Sequence, residues 1–324
     1  MAAIPSHASA LERLWALTFR VICGLVLLFL IAPILVIIPL SFNAEPYFTF
    51  TERMLTLDPE GYSLRWYDNL LTFGMVAPDA PRDAGWWADA WNNATWVRAA
   101  KNSAIVGVFA TVLATVLGTL AALGLARSEM PARKAVMAIL VSPMIVPIII
   151  SATGVFFFYS NPGLPLPKLA LDPPALRLDF DWKLAGTYLG IILAHTTLGI
   201  PFVIITVTAT LTGFDRSLVR AAASLGAGPV RTFFRVQMPL ILPGVISGAL
   251  FAFVTSFDEV VMVLFIGAHD QQTIPRAMWN GIREQISPSI LAVATVLVVV
   301  SVALLTAVEL LRRRSERLRG MSPG

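Results

Sequence analysis

The chain has little of what most soluble proteins depend on: charge, cysteine and histidine. Charged residues make up 14% of its 324 residues, whereas soluble domains carry about 25%. Its one cysteine, Cys23, excludes an intrachain disulfide framework. The three histidines, His7, His195 and His269, lie far apart and beside no cysteine pair, so we expect no metal site. A Gly-x-x-x-x-Gly-Lys-Ser/Thr phosphate loop is missing too, which excludes an ATPase of that class.

Apolar residues take the place of charge, and they form long runs. Hydrophobic residues make up 56% of the chain. Six stretches contain no charged residue, and each is longer than the roughly 20 residues that a helix needs to cross a bilayer. We therefore predict an all-α integral membrane protein with six transmembrane helices, within residues 21–44, 102–126, 135–167, 184–214, 236–257 and 285–308. The third stretch is expected to break near Pro143 or Pro147.

Lysine and arginine are distributed unevenly between the intervening segments. Segments 1–20, 127–134, 215–235 and 309–324 carry 14 Lys and Arg against 5 acidic residues, whereas the longer segments on the opposite side carry 10 against 15. Because cytoplasmic loops are enriched in Lys and Arg, both termini are predicted to lie in the cytoplasm. The net charge of +4 follows from this split and does not indicate a nucleic-acid partner.

These assignments divide the chain into regions. Residues 1–20 form a cytoplasmic N-terminal segment, 21–42 the first transmembrane helix, and 43–101 a long periplasmic segment rich in tryptophan and acidic residues. Residues 96–309 form the core, and 310–324 a basic cytoplasmic tail. A segment as long as 43–101 is uncommon unless it is functional, although Trp is also the usual residue of membrane interfaces.

The most informative polar segment is 215–238, which separates two apolar stretches. Asp215 is suited to cap the start of a helix there and Gly226 to end it. Pro229 then opens a second short helix. We interpret the segment as a compact helix–turn–helix that docks against another protein. Small and apolar side chains recur along it at helical spacing: Leu218, Ala221, Ala222 and Leu225.

This segment resembles a motif of a known family. Bacterial ABC-importer permeases carry an "EAA" loop: Glu-Ala-Ala, three residues, Gly, nine residues, then Ile-x-Leu-Pro. This chain has Ala221-Ala222, then Gly226, then Val236-Gln237-Met238-Pro239, with Arg220 where the family usually has Glu. The similarity covers residues 96–309, and the sequences at 195–203, 213–215 and 256–261 look most like the spermidine/putrescine branch.

The resemblance implies a type I ABC-importer permease fold, with six transmembrane helices and a cytoplasmic coupling helix, in the bacterial inner membrane. It implies that this chain is not an enzyme and binds no cofactor, because ATP and Mg belong to a dimer of separate ATP-binding subunits. A second permease subunit and a periplasmic solute-binding protein are the other implied partners. Coupling to the ATP-binding subunits is carried over to Arg220, Ala221, Ala222, Leu225, Gly226 and Pro239.

Arg220 leaves one point open. A glutamate at this position could pair with a basic residue of the ATP-binding subunit, and that residue would repel an arginine. Either the partner carries a compensating acid, or the contact of this subunit depends on shape alone.

The candidate substrate pathway is centred on Asp258 and Glu259. This acidic pair lies near the expected outer end of the fifth stretch, and the apolar run 260–267 follows it. A structural helix end and a pathway role both fit, since a buried carboxylate needs a cavity, a cation or a basic neighbour. Trp279 is a possible cation–π contact, and His195 fits either helix packing or the pathway. The resemblance implies a small cationic substrate such as putrescine or spermidine.

Other functions stay open on the sequence. An ion-gradient-driven secondary transporter would place ionisable groups near the bilayer midplane, and the centres of these stretches contain no Asp, Glu, Lys or Arg. A permease of the same family for a different solute, or a membrane scaffold, also fits the docking segment. A hydrolase is disfavoured, because no partner histidine is indicated for Ser256 and Asp258. The pairs Gly186/Gly190 and Gly244/Gly248 favour helix packing within the chain over a subunit interface.

Overall fold

Helices account for all the regular secondary structure in the computed structural model, which describes residues 9–127, 129–160, 183–215, 217–284 and 287–318. The predicted all-α class is therefore confirmed for these residues. His7 and residues 161–182, which include the end of the third predicted stretch, lie outside the described residues, as do the side chains of 284, 304, 305 and 307–318. The chain divides into two compact units, residues 1–81 with 281–324 and residues 82–280.

The first unit begins with a long apolar helix, α1 (Ala10–Leu40). Ser9 and Glu12 form a capping box at its start, in which each side chain accepts a backbone N–H of the other residue. Leu25 and Phe29 are typical of the apolar side chains along the helix, with 60% and 79% of their surface exposed. A protein in water would bury such a surface, so α1 is suited to a lipid environment.

Three short helical segments and one long helix complete the first unit: α2 (Glu52–Leu55), a 3-10 turn (Pro59–Gly61), α3 (Arg65–Thr72) and α14 (Ser289–Leu318). The α14 helix packs against both α3 and α1. The Ser289 hydroxyl donates to Asn69 Oδ1 of α3 at 2.7 Å. Packing and a hydrogen bond thus tie the C-terminal helix to the segment that follows α1.

Three long helices form the core of the second unit: α5 (Thr95–Leu125), α8 (Tyr188–Thr212) and α11 (Met238–Asp258). The short helix α4 (Ala84–Asn93) precedes them. The three long helices pack against one another, and small residues let them approach closely. A Cβ at Gly248 would lie 2.8 Å from Val203 Cα, and a Cβ at Gly118 would lie 2.7 Å from Val203 Cβ.

The two glycine pairs have different roles. Gly244 and Gly248 of α11 both lie against α8, which confirms helix packing within the chain. Gly186 and Gly190 do not form such a pair. Gly186 precedes α8 in the left-handed region at φ +79°, and a Cβ at Gly190 would meet the carbonyl of Leu184 just before the same helix. The prediction was wrong for this pair because the helix begins later than the apolar run.

The third apolar stretch is broken. Helices α6 (Arg133–Ile145) and α7 (Ile148–Ser160) meet at an angle of 102°. Val146 is extended, with φ −70° and ψ 134°, as expected for a residue that precedes proline. Pro147 has no N–H with which to continue the helix. The predicted break is confirmed at Pro147, whereas Pro143 lies inside α6.

The segment after α8 contains α9 (Ser217–Ser224) and α10 (Pro229–Thr232). Both predicted helices form, but the second does not stay separate from the fifth stretch. A π-helical turn (Phe233–Gln237) joins α10 to α11, so that Pro229–Asp258 is one helix of 30 residues. Pro239 cannot donate to the carbonyl four residues earlier, and the wider turn lies where that bond is missing.

Beyond α11 the chain forms α12 (Val261–Ile266), a 3-10 turn (His269–Gln271) and α13 (Ile274–Glu284). The α12 helix packs against α7 and α8.

Four helices are long and apolar enough to cross a membrane, namely Ala10–Leu40, Thr95–Leu125, Tyr188–Thr212 and Pro229–Asp258. The bent pair α6–α7 makes a fifth if it is one span, and the apolar part of α14, Ser289–Ala303, is shorter. The described residues thus bear out four or five of the six predicted spans.

Candidate functional site

Asp215 starts the first helix of the docking segment 215–238. One of its carboxylate oxygens accepts the Ser217 hydroxyl at 2.6 Å, and the other accepts the Ser217 N–H at 2.8 Å. These hydrogen bonds, from the Ser217 side chain first and its backbone second, hold the pKa of Asp215 below its usual value, and nearby Arg220 lowers it further. The carboxylate therefore stays ionised at neutral pH at the start of α9, where the helix dipole favours negative charge.

Gly226 ends α9 in a Schellman motif. Its φ is +78°, in the left-handed region that glycine occupies at no steric cost. The Gly226 N–H donates to the Ala223 carbonyl at 2.9 Å, and the Ala227 N–H donates to the Ala222 carbonyl at 3.0 Å. Both bonds satisfy carbonyls that the end of the helix would leave without donors. The chain then turns through Gly228 into Pro229 at the first position of α10.

The docking segment exposes apolar side chains. Leu225, Val230 and Phe234 are 88%, 69% and 63% exposed. Arg220, Ala221, Gly226 and Pro239 are exposed too, and Ala222 is half-buried. Exposed apolar side chains in a polar connecting segment are typical of a surface that another protein covers.

The acidic pair is split between two environments. Asp258 is the last residue of α11 and is exposed, and no described residue forms an ion pair with it. Glu259 is buried, and its carboxylate oxygens accept the N–H groups of Val261 and Met262 at 2.8 and 2.7 Å. Glu259 therefore caps the start of α12, a role that the backbone break after α11 makes possible.

A buried polar cluster joins α8 to this break. His195 Nδ1 lies 2.9 Å from Ser256 Oγ and 3.1 Å from the Ser256 carbonyl oxygen, and His195 Nε2 lies 3.9 Å from Glu259 Oε2. Among the described atoms, Nε2 has no hydrogen-bond partner. Sequence reasoning missed this cluster, because His195 and Ser256 are 61 residues apart. The spacing of three between Ser256 and Glu259 was the available signal, since such residues share a helix face.

The cluster contains serine, histidine and carboxylate but lacks the geometry of a hydrolase. In a catalytic triad the carboxylate orients Nδ1 and the serine contacts Nε2, whereas here Ser256 contacts Nδ1 of His195. All three side chains are also buried, with 4%, 1% and 7% of Ser256, His195 and Glu259 exposed. The arrangement is suited to joining helices and offers no exposed nucleophile.

Arg276 holds the opposite end of α12. Its Nη1 donates to the carbonyls of Val263, Gly267 and Ala268 at 3.1, 3.0 and 2.9 Å. Burial lowers the pKa of Arg276, but a guanidinium remains charged in a protein. A carboxylate at the start of α12 and a guanidinium at its end both complement the helix dipole, so the helix is fixed at its two ends.

A second polar cluster positions the turn between α12 and α13. The Asn102 amide donates to the carbonyls of Asp270 and Gln272 at 2.9 Å, and the Tyr188 hydroxyl donates to Asn102 Oδ1 at 2.7 Å. The Ile274 N–H donates to the Ser103 hydroxyl at 2.8 Å. These bonds tie α5 to a turn about 170 residues away, and Tyr188 ties α8 to α5 at the same point, which no local pattern predicts.

The tryptophans differ in what lies over their rings. Trp66, Trp86 and Trp91 each have a cation of the chain over the ring: Arg65, Arg82 and Lys101, at 4.2, 4.9 and 4.6 Å from the centroid. Trp279, on α13, is 45% exposed, and the described residues place no cation over it. Its face is thus open to an ammonium group, although no described contact joins it to Asp258.

Residues 114–317, which include the docking segment and the break at Glu259, match the family described as the binding-protein-dependent transport system inner membrane component. The chain belongs to this family. It is thus an inner-membrane permease of an ABC importer.

Relatives extend the match beyond the family region. The permease is 29% identical to the spermidine/putrescine transport system permease protein PotC of Haemophilus influenzae, over 89% of this chain and 93% of the relative. It is 30% identical to the putrescine transport system permease protein PotI of Escherichia coli K12, over 83% of this chain and 81% of the relative. A solved bacterial ABC transporter that imports the acidic polysaccharide alginate matches with a TM-score of 0.61 and 15% identity, over 94% of this chain and 98% of that chain.

Proposed function

We propose that this permease is one of two permease subunits forming the pathway of an ATP-driven importer, and that it moves a small cationic amine into the cytoplasm. The observation that carries the proposal is the docking segment, an exposed and capped helix between two spans of a chain from this family. A plain connector between spans would need neither the Schellman end at Gly226 nor an exposed Leu225.

In this proposal ATP and Mg bind to a dimer of separate ATP-binding subunits, and a periplasmic solute-binding protein delivers the substrate. The coupling residues are Arg220, Ala221, Ala222, Leu225, Gly226 and Pro239. The segment can transmit motion only if it binds the two states of the ATP-binding subunit with different free energies. Its rigid helix end is suited to this, because a docked face that does not deform passes displacement on to the spans.

Six spans and two cytoplasmic termini complete the proposal. The bent pair α6–α7 serves as one broken span, and α14 serves as the sixth. Residues 289–308 of α14 carry no charge and extend about 30 Å at 1.5 Å per residue, which matches the roughly 30 Å thickness of the hydrocarbon core. An even number of spans puts both termini on one side, and the Lys and Arg of 1–20 and 309–324 favour the cytoplasm.

The substrate class is proposed from Asp258 and from the relatives. An ammonium group that leaves water needs a compensating charge, and Asp258 is an exposed carboxylate with no described partner at the end of a span. Trp279 offers an aromatic face on the same unit. Two relatives are named for spermidine and putrescine. The fold does not select the substrate, because the alginate importer carries an acidic polymer.

An ion-gradient-driven transporter is the second candidate, and one observation favours it. His195 and Glu259 form a buried ionisable pair in the second unit, and such pairs serve as proton relays in secondary transporters.

One uptake assay separates the two functions. The permease is purified with its co-encoded partners, reconstituted into liposomes, and supplied with labelled putrescine and binding protein. Uptake that requires ATP inside and persists with a protonophore supports the importer. Uptake that a proton gradient drives without ATP overturns it.

In this assay Asp258→Asn is expected to lower putrescine uptake about tenfold or more, the loss of roughly 1.4 kcal/mol of charge compensation, with assembly unchanged. Glu259→Gln is expected to lower the amount of folded permease instead. The amide keeps one acceptor for two N–H groups, and charge-assisted hydrogen bonds contribute about 1.5–3 kcal/mol each.

The two variants serve as controls for each other, because they are adjacent and lose the same charge. Normal uptake by Asp258→Asn, together with reduced uptake by well-folded Glu259→Gln, would reverse the assignment. Wild-type uptake by both, or a substrate that proves to be an anion, would remove the amine proposal and leave the importer proposal in place.

A further inference from the structure

The docking segment carries an unbalanced positive charge. Between residues 215 and 238 there are four arginines against one aspartate. Arg220, Arg231 and Arg235 are all exposed. Asp215, the one acid, is engaged by the hydroxyl and N–H of Ser217. Arg220 is near enough to Asp215 to influence its charge, but it forms no ion pair with any described residue, so its guanidinium can pair with an acid of a partner.

Arg220 lies on the face of α9 that points away from the chain. Ser217, Arg220 and Ser224 are three and four residues apart, so they share one side of the helix, and all three are exposed. Val219 and Ala222, on the opposite side, are half-buried against the rest of the unit. The exposed face continues from Arg220 round to Ala221 and Leu225, so a partner that covers all of this face covers Arg220 as well.

Covering Arg220 without a counter-charge would be strongly unfavourable. A guanidinium cannot lose its proton. Removing an unpaired charge from water costs several times the free energy that one hydrogen bond contributes. The exposed Leu225, Val230 and Phe234 indicate that the surface covering the segment is apolar. An apolar surface increases the free-energy cost of removing the Arg220 charge from water. A contact that depended on shape alone would have to leave Arg220 in water at its rim.

We infer that the ATP-binding subunit presents a carboxylate opposite Arg220, within an apolar groove that receives α9. The inference rests on the proposed function and goes beyond it, because it fixes the sign of the partner's charge at this position. The usual Glu of the motif would require a basic residue there. The geometry thus points to a charge-reversed pair in this transporter, and the ATP-binding subunit of a glutamate-bearing permease would be a mismatched partner.

The test uses the full-length permease complex in lipid nanodiscs and the purified ATP-binding subunit encoded beside it. Affinity is measured for wild type, Arg220→Ala and Arg220→Glu at two salt concentrations. Removing one partner of a buried charge pair weakens binding by about 30-fold or more. Both variants should therefore bind the ATP-binding subunit at least about 30-fold more weakly than wild type does. Arg133→Glu is the matched control, because Arg133 is an exposed arginine of the predicted cytoplasmic segment 127–134 and should stay within about twofold of wild type.

A charge swap identifies the partner residue. Each acid of the ATP-binding subunit's groove is changed to lysine in turn, and one such change should restore binding to Arg220→Glu while weakening binding to wild type. Three results would overturn the inference: wild-type affinity for Arg220→Glu, wild-type affinity for Arg220→Ala, or no acid that rescues.

Gly226→Val, measured in parallel, separates this inference from the proposed function. If Gly226→Val weakens docking while Arg220→Glu does not, the charge inference alone fails. If neither variant changes docking or ATP hydrolysis, the docking function of the segment fails as well.

Discussion

Gly226→Val is expected to abolish uptake and the stimulation of ATP hydrolysis by the binding protein, while the permease still inserts and folds. Gly226 has φ +78°, where a residue with a Cβ is strained by roughly 1–2 kcal/mol and a β-branched one by more. The Cβ itself would meet nothing within 4 Å, so the strain is in the backbone. The Schellman end would open, and the docked face of α9 would change shape. Uptake and stimulated hydrolysis are measured on the reconstituted complex.

Two substitutions in the same turn serve as controls. Gly228→Val puts the same side chain two residues away, where φ is −66° and a Cβ also has open space, and it should leave uptake near the wild-type rate. Gly226→Asn should retain partial uptake, because asparagine tolerates the left-handed region. Equal losses from Gly226→Val and Gly228→Val would show that bulk matters here and that the helix end does not.

Gly248→Val is expected to reduce the amount of folded permease severely. A Cβ at Gly248 would lie 2.5 Å from Thr206 Oγ1 and 2.8 Å from Val203 Cα, and a backbone atom cannot rotate away. Forcing α8 and α11 apart costs roughly 1–3 kcal/mol or more and opens the contact on which the second unit is built. The fraction of permease that remains monodisperse after heating in detergent measures the effect.

Gly124→Val makes the same change on α5 at a position where a Cβ meets nothing within 4 Å. It should leave the thermal midpoint within a few degrees of wild type. If Gly248→Val is as stable as Gly124→Val, then α8 and α11 do not pack as closely as described.

Local chemistry made part of this structure predictable. The left-handed Gly226, the cap at Asp215 and the break at Pro147 each follow from what one residue can or cannot do with its own backbone. The exposure of Leu225 was consistent with the docking interpretation, although an apolar pattern on a helix more often marks the side that packs. The continuation of α10 into α11 was missed, because a π turn has no simple periodicity.

The sequence does not show which member of the acidic pair is buried and which is exposed. Asp258 and Glu259 are adjacent and chemically alike, and only the break in the backbone between α11 and α12 gives them different surroundings. The partner His195 comes from another helix, and Arg276 reaches α12 from beyond a turn. Contacts of this kind depend on how the helices assemble, so they became visible only in three dimensions.

The continuous helix from Pro229 to Asp258 gives the permease a lever. The 21 residues of α11 form an arm of about 30 Å beyond the π-helical turn, and a tilt of about 10° at that pivot displaces the far end by about 5 Å. The short arm, α10, lies beside the docked face of α9, and the long arm ends at the Asp258 carboxylate. In the proposed importer, a small motion of the ATP-binding subunit would be multiplied by the ratio of the two arm lengths. In that mechanism the ratio of the arm lengths, and no direct contact between the two ends, would determine how far the Asp258 carboxylate moves in each cycle.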